Sequence, residues 1–224
     1  MTISVRGIGW LTNNGYGCIR SGQRREFETG ESINSLPKRG IFSHPFKNFG
    51  RLDNLARMNA YAVALALQDA GIEYSPGLKQ DIGIIGTNAE GSLRSDIEDF
   101  KEYVESGRTL SRGNLFIYTL PSSPVGESAI HFGLRGPLLY VMEEKNALAQ
   151  VLDTAADMIM AQETPMMLAG RAEETEALYF ILTADPGQTL DGTCSFADAK
   201  RIVETSPDVS GMVQNLEALT ARKA

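Results

Sequence analysis

What most constrains the fold of this chain is an alternation: short apolar runs recur between longer stretches of helical periodicity. The runs "ISVRGIGWLTN", "DIGIIGTN", "PLLYVME", "TPMMLAG" and "EALYFILTA" are rich in aliphatic and aromatic residues and bounded by turn formers, so each predicts a strand. Between them, "LDNLARMNAYAVALALQDAG" carries apolar side chains at Leu55, Met58, Ala62, Leu65 and Ala66, with Asp53 to cap it and Gly71 to close it. "SLRSDIEDFKEYVESG" places Leu93, Ile97, Phe100 and Val104 on one face, which predicts a second helix ending at Gly107. "TLPSSPVGESAIHFG" starts another, with Ser123 as N-cap and Pro124 at its first position. "NALAQVLDTAADMIMAQ" is apolar on most sides. The order strand, helix, strand, two helices, strand, helix, strand, strand predicts an α/β fold with a mostly parallel, helix-covered sheet.

Residues 20–51, rich in Gly, Pro, Ser and Phe, read as a long loop. Residues 185–224 form a tail in which Ser195 and Asp198 begin one helix, capping-box fashion, and Ser206-Pro207 begins a second. The expected division is an α/β domain over residues 1–184 and a helical tail over 185–224 that packs on it. No internal repeat is visible.

Several function classes fall away on composition. No run approaches the length of a membrane span, and the N-terminus lacks the basic and apolar regions of a signal peptide, so a cytoplasmic protein is expected. Two cysteines, Cys18 and Cys194, make no disulfide framework, and zinc-site spacings are absent. Neither a metal nor a cofactor is expected. A net charge of −7 argues against nucleic acid. The charge is uneven, however. Residues 20–57 hold eight basic side chains against four acidic ones, hence +4, which leaves −11 for the rest. The segment is either a solvated loop or, through Arg24, Arg25, Lys38 and Arg39, a patch for an acidic partner.

The stretch "GLRGPLLYVMEEKNALAQ" is a strand-to-helix elbow, where many α/β enzymes hold a nucleophile. Here the elbow reads Glu143-Glu144-Lys145, without Cys or Ser. Lys145 as a Schiff-base nucleophile would need a lowered pKa, and two adjacent carboxylates push the other way if they lie close. Glu143 and Glu144, being adjacent, point to opposite sides of a strand end rather than forming an acid–base pair. The glycine turns at Gly86 and Gly136 lack the spacing of a phosphate loop. Cys194 reads as a plain thiol, and His131 as a packed or interface residue.

Five motifs taken together resemble the N-terminal half of the β-ketoacyl synthases, of the thiolase superfamily. They are "GIGWLTNNG", "LARMNAYAVALALQDAGI", "IGIIGTNAEGSLRSDIEDF", "TLPSSPVGESAIHFGLRGP" and "MMLAGRAE", in family order over roughly residues 2–184. The resemblance implies a half-thiolase-like fold: a five-stranded mixed sheet with helices on both faces, here followed by the helical tail. It places Lys145 at the family's nucleophilic Cys position. The family's catalytic histidines belong to a C-terminal half that this sequence does not reach, and His44 and His131 match neither. The resemblance therefore implies a non-catalytic partner or scaffold in fatty-acid or polyketide-type biosynthesis, binding acyl carrier protein or a full-length ketosynthase. The alternative is a remodelled acyl-thioester-binding protein or enzyme using the old substrate groove around Lys145. Family dimers also imply a homodimer built on Leu139, Tyr140, Val141 and Met142, with Pro124, Ser128 and His131 of the preceding helix. Helix 146–161, a middle layer in the family, needs a cover on its outer face, from the tail or from a partner.

Overall fold

The computed structural model describes residues 2–28, 30–109, 112–142, 147–185 and 193–221. Its sheet is organised around β1 (Thr2–Thr12), on which α1 (Asn54–Asp69) lies directly. A Cβ at Gly9 would stand 2.2 Å from Ala66 N and 2.5 Å from Ala62 O, so this approach requires glycine. Alanines dominate the buried surface of α1 for the same reason. Asp53 caps the helix, its side chain accepting from Ala56 N at 2.7 Å, and Gly71 turns the chain away at φ 65°.

The other strands are β2 (Gly15–Cys18), β3 (Arg24–Glu26), β4 (Ile82–Thr87), β5 (Leu138–Tyr140), β6 (Met166–Ala172), β7 (Ala177–Asp185) and β8 (Cys194–Ser195). They run in the order β3-β2-β1-β7-β6-β4-β5, with β8 joined to β1. The sheet is mixed, as expected, but among the described residues it has eight strands rather than five, of which only β4–β5 and β4–β6 pair in parallel. The three additional strands are short and weakly patterned. β2 is half glycine, β3 is wholly charged and exposed, and β8 is two residues long. β2 and β3 also correct the reading of the first fifty residues as one strand and a loop.

Strand alternation splits the core into two layers. Leu11, Ile84, Leu168, Tyr179 and Ile181 face α1 and α4 (Ser123–Phe132). Val5, Ile8, Trp10, Ile85, Met167, Phe180 and Leu182 face the opposite layer, which holds α5 (Ala147–Met160). The tail lies beside α5 in the same layer, against β1. From α6 (Phe196–Thr205) come Ala199, Ile202 and Val203, and from α7 (Val209–Ala221) come Met212, Val213 and Leu216, all in one cluster with Leu148, Val151 and Leu152 of α5. Lys200 Nζ seals the contact on Asp153 at 2.7 Å. Burial of each large apolar side chain is worth about 1.5–3 kcal/mol, so the tail is held firmly over β1 and one flank of α5, while Gln150, Asp157 and Met160 on the outer side of α5 stay exposed.

Two helices depart from expectation. α4 begins at Ser123 rather than after it, and Ser123 Oγ donates to Ile117 O at 2.6 Å. α2 (Leu93–Glu105) turns its apolar face to solvent and buries no residue. Short α3 (Gly113–Ile117) follows it. No helix among the described residues is long and apolar enough to cross a membrane.

One buried carboxylate ties these parts together. Asp69, at the end of α1, accepts from Ile8 N at 2.8 Å, Arg20 N at 3.0 Å and Ser21 N at 2.9 Å. Asp69→Ala would leave these donors without their acceptor and is expected to lower unfolding stability by about 3 kcal/mol or more, read from urea titration. Asp69→Asn, which keeps one acceptor oxygen, should lose less.

Candidate functional site

The elbow residues Glu143, Glu144, Lys145 and Asn146 lie outside the described residues. Their surroundings do not. The carboxyl ends of β4 and β6, the first turn of α5 and the α6–α7 junction enclose a cleft of about 260 Å³. This is the place where open α/β sheets bind ligands. On the β4 side, Asn88 is locked in place: Gly91 N donates to its Oδ1 at 2.5 Å, and its Nδ2 donates to Gly91 O at 3.0 Å. Tyr140 Oη also donates to Asn88 Oδ1, at 2.6 Å. Burial pushes the Tyr140 phenol above its ordinary range.

On the β6 side, Arg171 lies between Glu173 at 3.2 Å and Glu176 at 3.3 Å. Burial raises the Glu173 carboxyl above the usual carboxylate range, against the pull of Arg171 and of the Ala89 N–H, which donates to it at 2.9 Å. Thr87 Oγ1 is buried without a hydrogen-bond partner. Leu148, Val203 and Met212 close the apolar side. No cysteine, histidine or lysine lines the cleft among the described residues, and its one arginine is held by carboxylates. The arrangement can enclose a small group. Among the described residues it offers no nucleophile with an adjacent base.

The cysteines do not supply one elsewhere. Cys18 is buried with its Sγ donating to Leu65 O, and burial, helped by the Asp69 charge, pushes its thiol up to about 12. Cys194 is buried in β8. No cluster of three or more His, Cys, Asp or Glu side chains among the described residues could hold a metal ion.

Three residues expected at an interface turn inward instead. Asn59 Nδ2 donates to Pro124 O at 3.2 Å and to Ser128 Oγ at 2.8 Å, and Tyr179 Oη donates to Asn59 Oδ1. Pro124 and Ser128 are buried by this contact with α1. His131 stacks on Phe46 with centroids 3.9 Å apart and lies 4.4 Å from the ring of His44. Phe42, Phe132 and Tyr74 meet it edge-on. The outward residue of α4 is Ile130, 78% exposed.

β5 is the sheet edge, paired only with β4 among the described strands. Val141 N donates to Gly86 O at 3.0 Å, so the alternating amides of Leu138 and Tyr140 point away from β4. Leu139 and Val141 already pack against the α5-side core, while Leu138 and Met142 are exposed.

The proposed basic patch is divided. The Arg24 guanidinium lies 5.5 Å from the Trp10 ring and pairs with Glu26 and with Glu217 of α7. Lys38 instead lies 4.7 Å from the Phe49 ring, which belongs to the α1-side core. Arg25 is paired with Glu31 at 3.0 Å, and Arg39 is exposed. Strand alternation and intrachain ion pairs thus prevent one continuous basic surface.

A family model of the β-ketoacyl synthase N-terminal domain matches residues 25–208. The chain belongs to that family. No curated protein sequence matches it. Among solved structures, the ishigamide ketosynthase/chain length factor is 14% identical with a TM-score of 0.63, over 98% of this chain and 82% of that one. A ketosynthase in complex with its chain length factor from Xenorhabdus doucetiae is 14% identical with a TM-score of 0.57, over 84% and 81%. A type II PKS acyl-carrier protein in complex with its ketosynthase is 15% identical with a TM-score of 0.54, over 82% and 58%. The chain therefore spans little more than half of that last structure's length. At such identities the likeness is one of fold. The family match extends past residue 184, and the first alignment spans nearly the whole chain. The resemblance is thus wider than the motifs alone suggest.

The aromatic cluster carries a pH signature. Burial, and the neighbouring His44, push His131 down to about 4 from an ordinary 6.5. A base with a lowered folded pKa contributes its full stability above about 6.5 and loses it as pH falls toward 4. Thermal melts of wild type and His131→Phe should diverge in that window. Wild type should lose more of its melting temperature on acidification than the variant.

Proposed function

We propose that this chain is a non-catalytic ketosynthase-like subunit that pairs with a full-length ketosynthase in fatty-acid or polyketide-type biosynthesis. The observation that carries this reading is the tail's place beside α5. α6 and α7 pack against β1 in the layer of α5, while Gln150, Asp157 and Met160 on the outer side of α5 stay exposed. The neighbouring cleft has one wall of tail residues and no nucleophile among its described lining. The sequence at the elbow agrees, with Lys145 at the family's Cys position.

Two of the similar structures support the choice of partner, being ketosynthase/chain length factor proteins. So does the open edge of β5, because soluble proteins normally pair, cover or charge such an edge. The ketosynthase takes precedence over an acyl carrier protein because Arg24 and Arg25 are already paired within the chain. The alternative of acyl binding in the old groove has the cleft and the unpartnered Thr87 hydroxyl in its favour.

Co-expression with a full-length ketosynthase encoded beside the chain is expected to give a stable complex in size-exclusion chromatography. The chain alone should turn over acyl thioesters no faster than background, before and after Lys145→Ala. Turnover that Lys145→Ala abolishes would reject the non-catalytic role. Leu138→Pro removes an outward N–H at the first residue of β5 while leaving the β4 ladder intact, and should weaken the complex about tenfold. Val141→Pro is the poorer test, since that amide is bonded within the sheet.

A further inference from the structure

α2 is attached to the fold by very little. Between Gly91 and Tyr118, which are both buried, no described residue is buried. Leu93, Ile97, Phe100 and Val104 recur at helical spacing as one stripe, and that stripe faces solvent, with Phe100 66% exposed. A surface helix ordinarily lays its apolar stripe on the core and is held there by the burial. α2 has no such hold. Among the described elements its one extended contact is with α3, which buries no residue either.

What holds α2 is polar and confined to a few points. In its first turn, Arg94 Nη1 meets Glu174 at 2.9 Å, and Ser95 Oγ donates to Asp53 Oδ2 at 3.4 Å. Further along, Glu102 takes the Arg112 guanidinium at 2.8 Å. Arg112 is the N-cap residue of α3, so this pair ties two outer helices to each other rather than to the body. Both arginines are largely exposed, and ion pairs of exposed side chains contribute little. Asp99 Oδ1 opposes the contact. It is buried without a hydrogen-bond partner, and such an oxygen regains water when the helix lifts. α2 has 13 residues, a length at which a helix detached from any surface is marginal in water.

The two ends of α2 are suited to turning. Gly91, at φ 61°, is pinned by Asn88, whose Oδ1 takes its N–H at 2.5 Å. Gly107 ends the helix at φ 76°, where a Cβ would meet nothing within 4 Å, so the left-handed backbone and not close packing favours glycine there. Beneath the helix lies a polar cleft of about 390 Å³. Arg94, Ser95 and Glu98 of α2 form one wall, and Asp53, Arg57 and Tyr118 form the other. Arg57 Nε is buried without a partner.

We propose that α2 is a strap that lifts independently of the rest of the fold, pivoting on Gly91, and gates the polar cleft beneath it. Local opening of this kind belongs to segments that forfeit few apolar contacts when they detach. The strap is a property of the chain alone and does not rest on the partner proposed above.

The test uses the whole chain without a partner. Hydrogen exchange followed by mass spectrometry should show the amides of residues 97–105 exchanging together, at least about 100-fold faster than those of 58–67 in α1. Arg94→Ala/Ser95→Ala cuts both first-turn anchors and should raise exchange in α2 about tenfold while leaving α1 unchanged. Gating is read with a small thiol reagent. Cys18 and Cys194 are buried and report opening of the whole fold. A reporter introduced by Tyr118→Cys should react faster than either, and faster again, by the same factor as α2 exchange, when combined with Arg94→Ala/Ser95→Ala. Leu115→Cys, also on the cleft, is the second reporter should Tyr118→Cys melt early. Exchange in α2 as slow as in α1, or unchanged by the anchor variant, would overturn the proposal. So would reporters that react no faster than Cys18 and Cys194.

Discussion

The Asp69 carboxylate holds the structure's central seam. Along one side of β1, β8 covers Ser4 and Val5 and β2 covers Gly9 to Thr12. Between them Ile8 N has no strand opposite it, and Asp69 accepts its hydrogen bond. The same side chain takes the amides of Arg20 and Ser21, where the chain leaves β2. Charge-assisted hydrogen bonds from backbone amides compensate for taking a carboxylate out of water, and removal of the acceptor strands its donors. Helix α1, the glycine-lined face of β1 and the exit of the first hairpin are therefore positioned by one residue.

Against that fixed layer, the opposite face of the sheet carries the features that bear on function. α5 lies on the sheet, and α6 and α7 lie beside it against β1, so the C-terminal segment completes that helical layer. The contact is apolar in the middle and pinned by Lys200 on Asp153. It shapes the cleft at the strand ends, where Val203 and Met212 of the tail face Asn88, Arg171 and Glu173 of the sheet. In that cleft the charged groups satisfy one another.

The outward surfaces tell a complementary story. α2 is held by polar contacts on its inner side, which leaves its hydrophobic free energy unspent until another surface meets it. β5 likewise bonds to β4 with one set of amides and leaves the alternate set pointing outward. Both features lie at the same end of the molecule, joined where Gly91 meets Met142. By contrast, His131, Ser128 and Pro124, from the helix between them in sequence, are consumed by packing on α1 and on the aromatic cluster.

Local sequence determined the elements whose signals are strong and short-range. The unbroken apolar run in "EALYFILTA", the cap at Asp53 before an alanine-rich helix, and the Ser195–Asp198 start of α6 were all legible, as were five strands and the α/β class. The family motifs made the ketosynthase relationship legible as well. The three extra strands were not, because glycine pairs, exposed arginines and two-residue bridges carry no pattern until a neighbouring strand supplies hydrogen-bond partners. Nor could periodicity orient a helix about its own axis. It correctly grouped Leu93, Ile97, Phe100 and Val104 on one face, but that they face solvent follows from Asp53, Arg112 and the segment that α2 lies against. The same limit hid the inward turn of Ser128 and His131, and the split of Arg24 and Lys38 between two layers. A sequence specifies which side chains share a face; only the packed structure decides what that face meets, because burial depends on contacts between residues far apart in the chain.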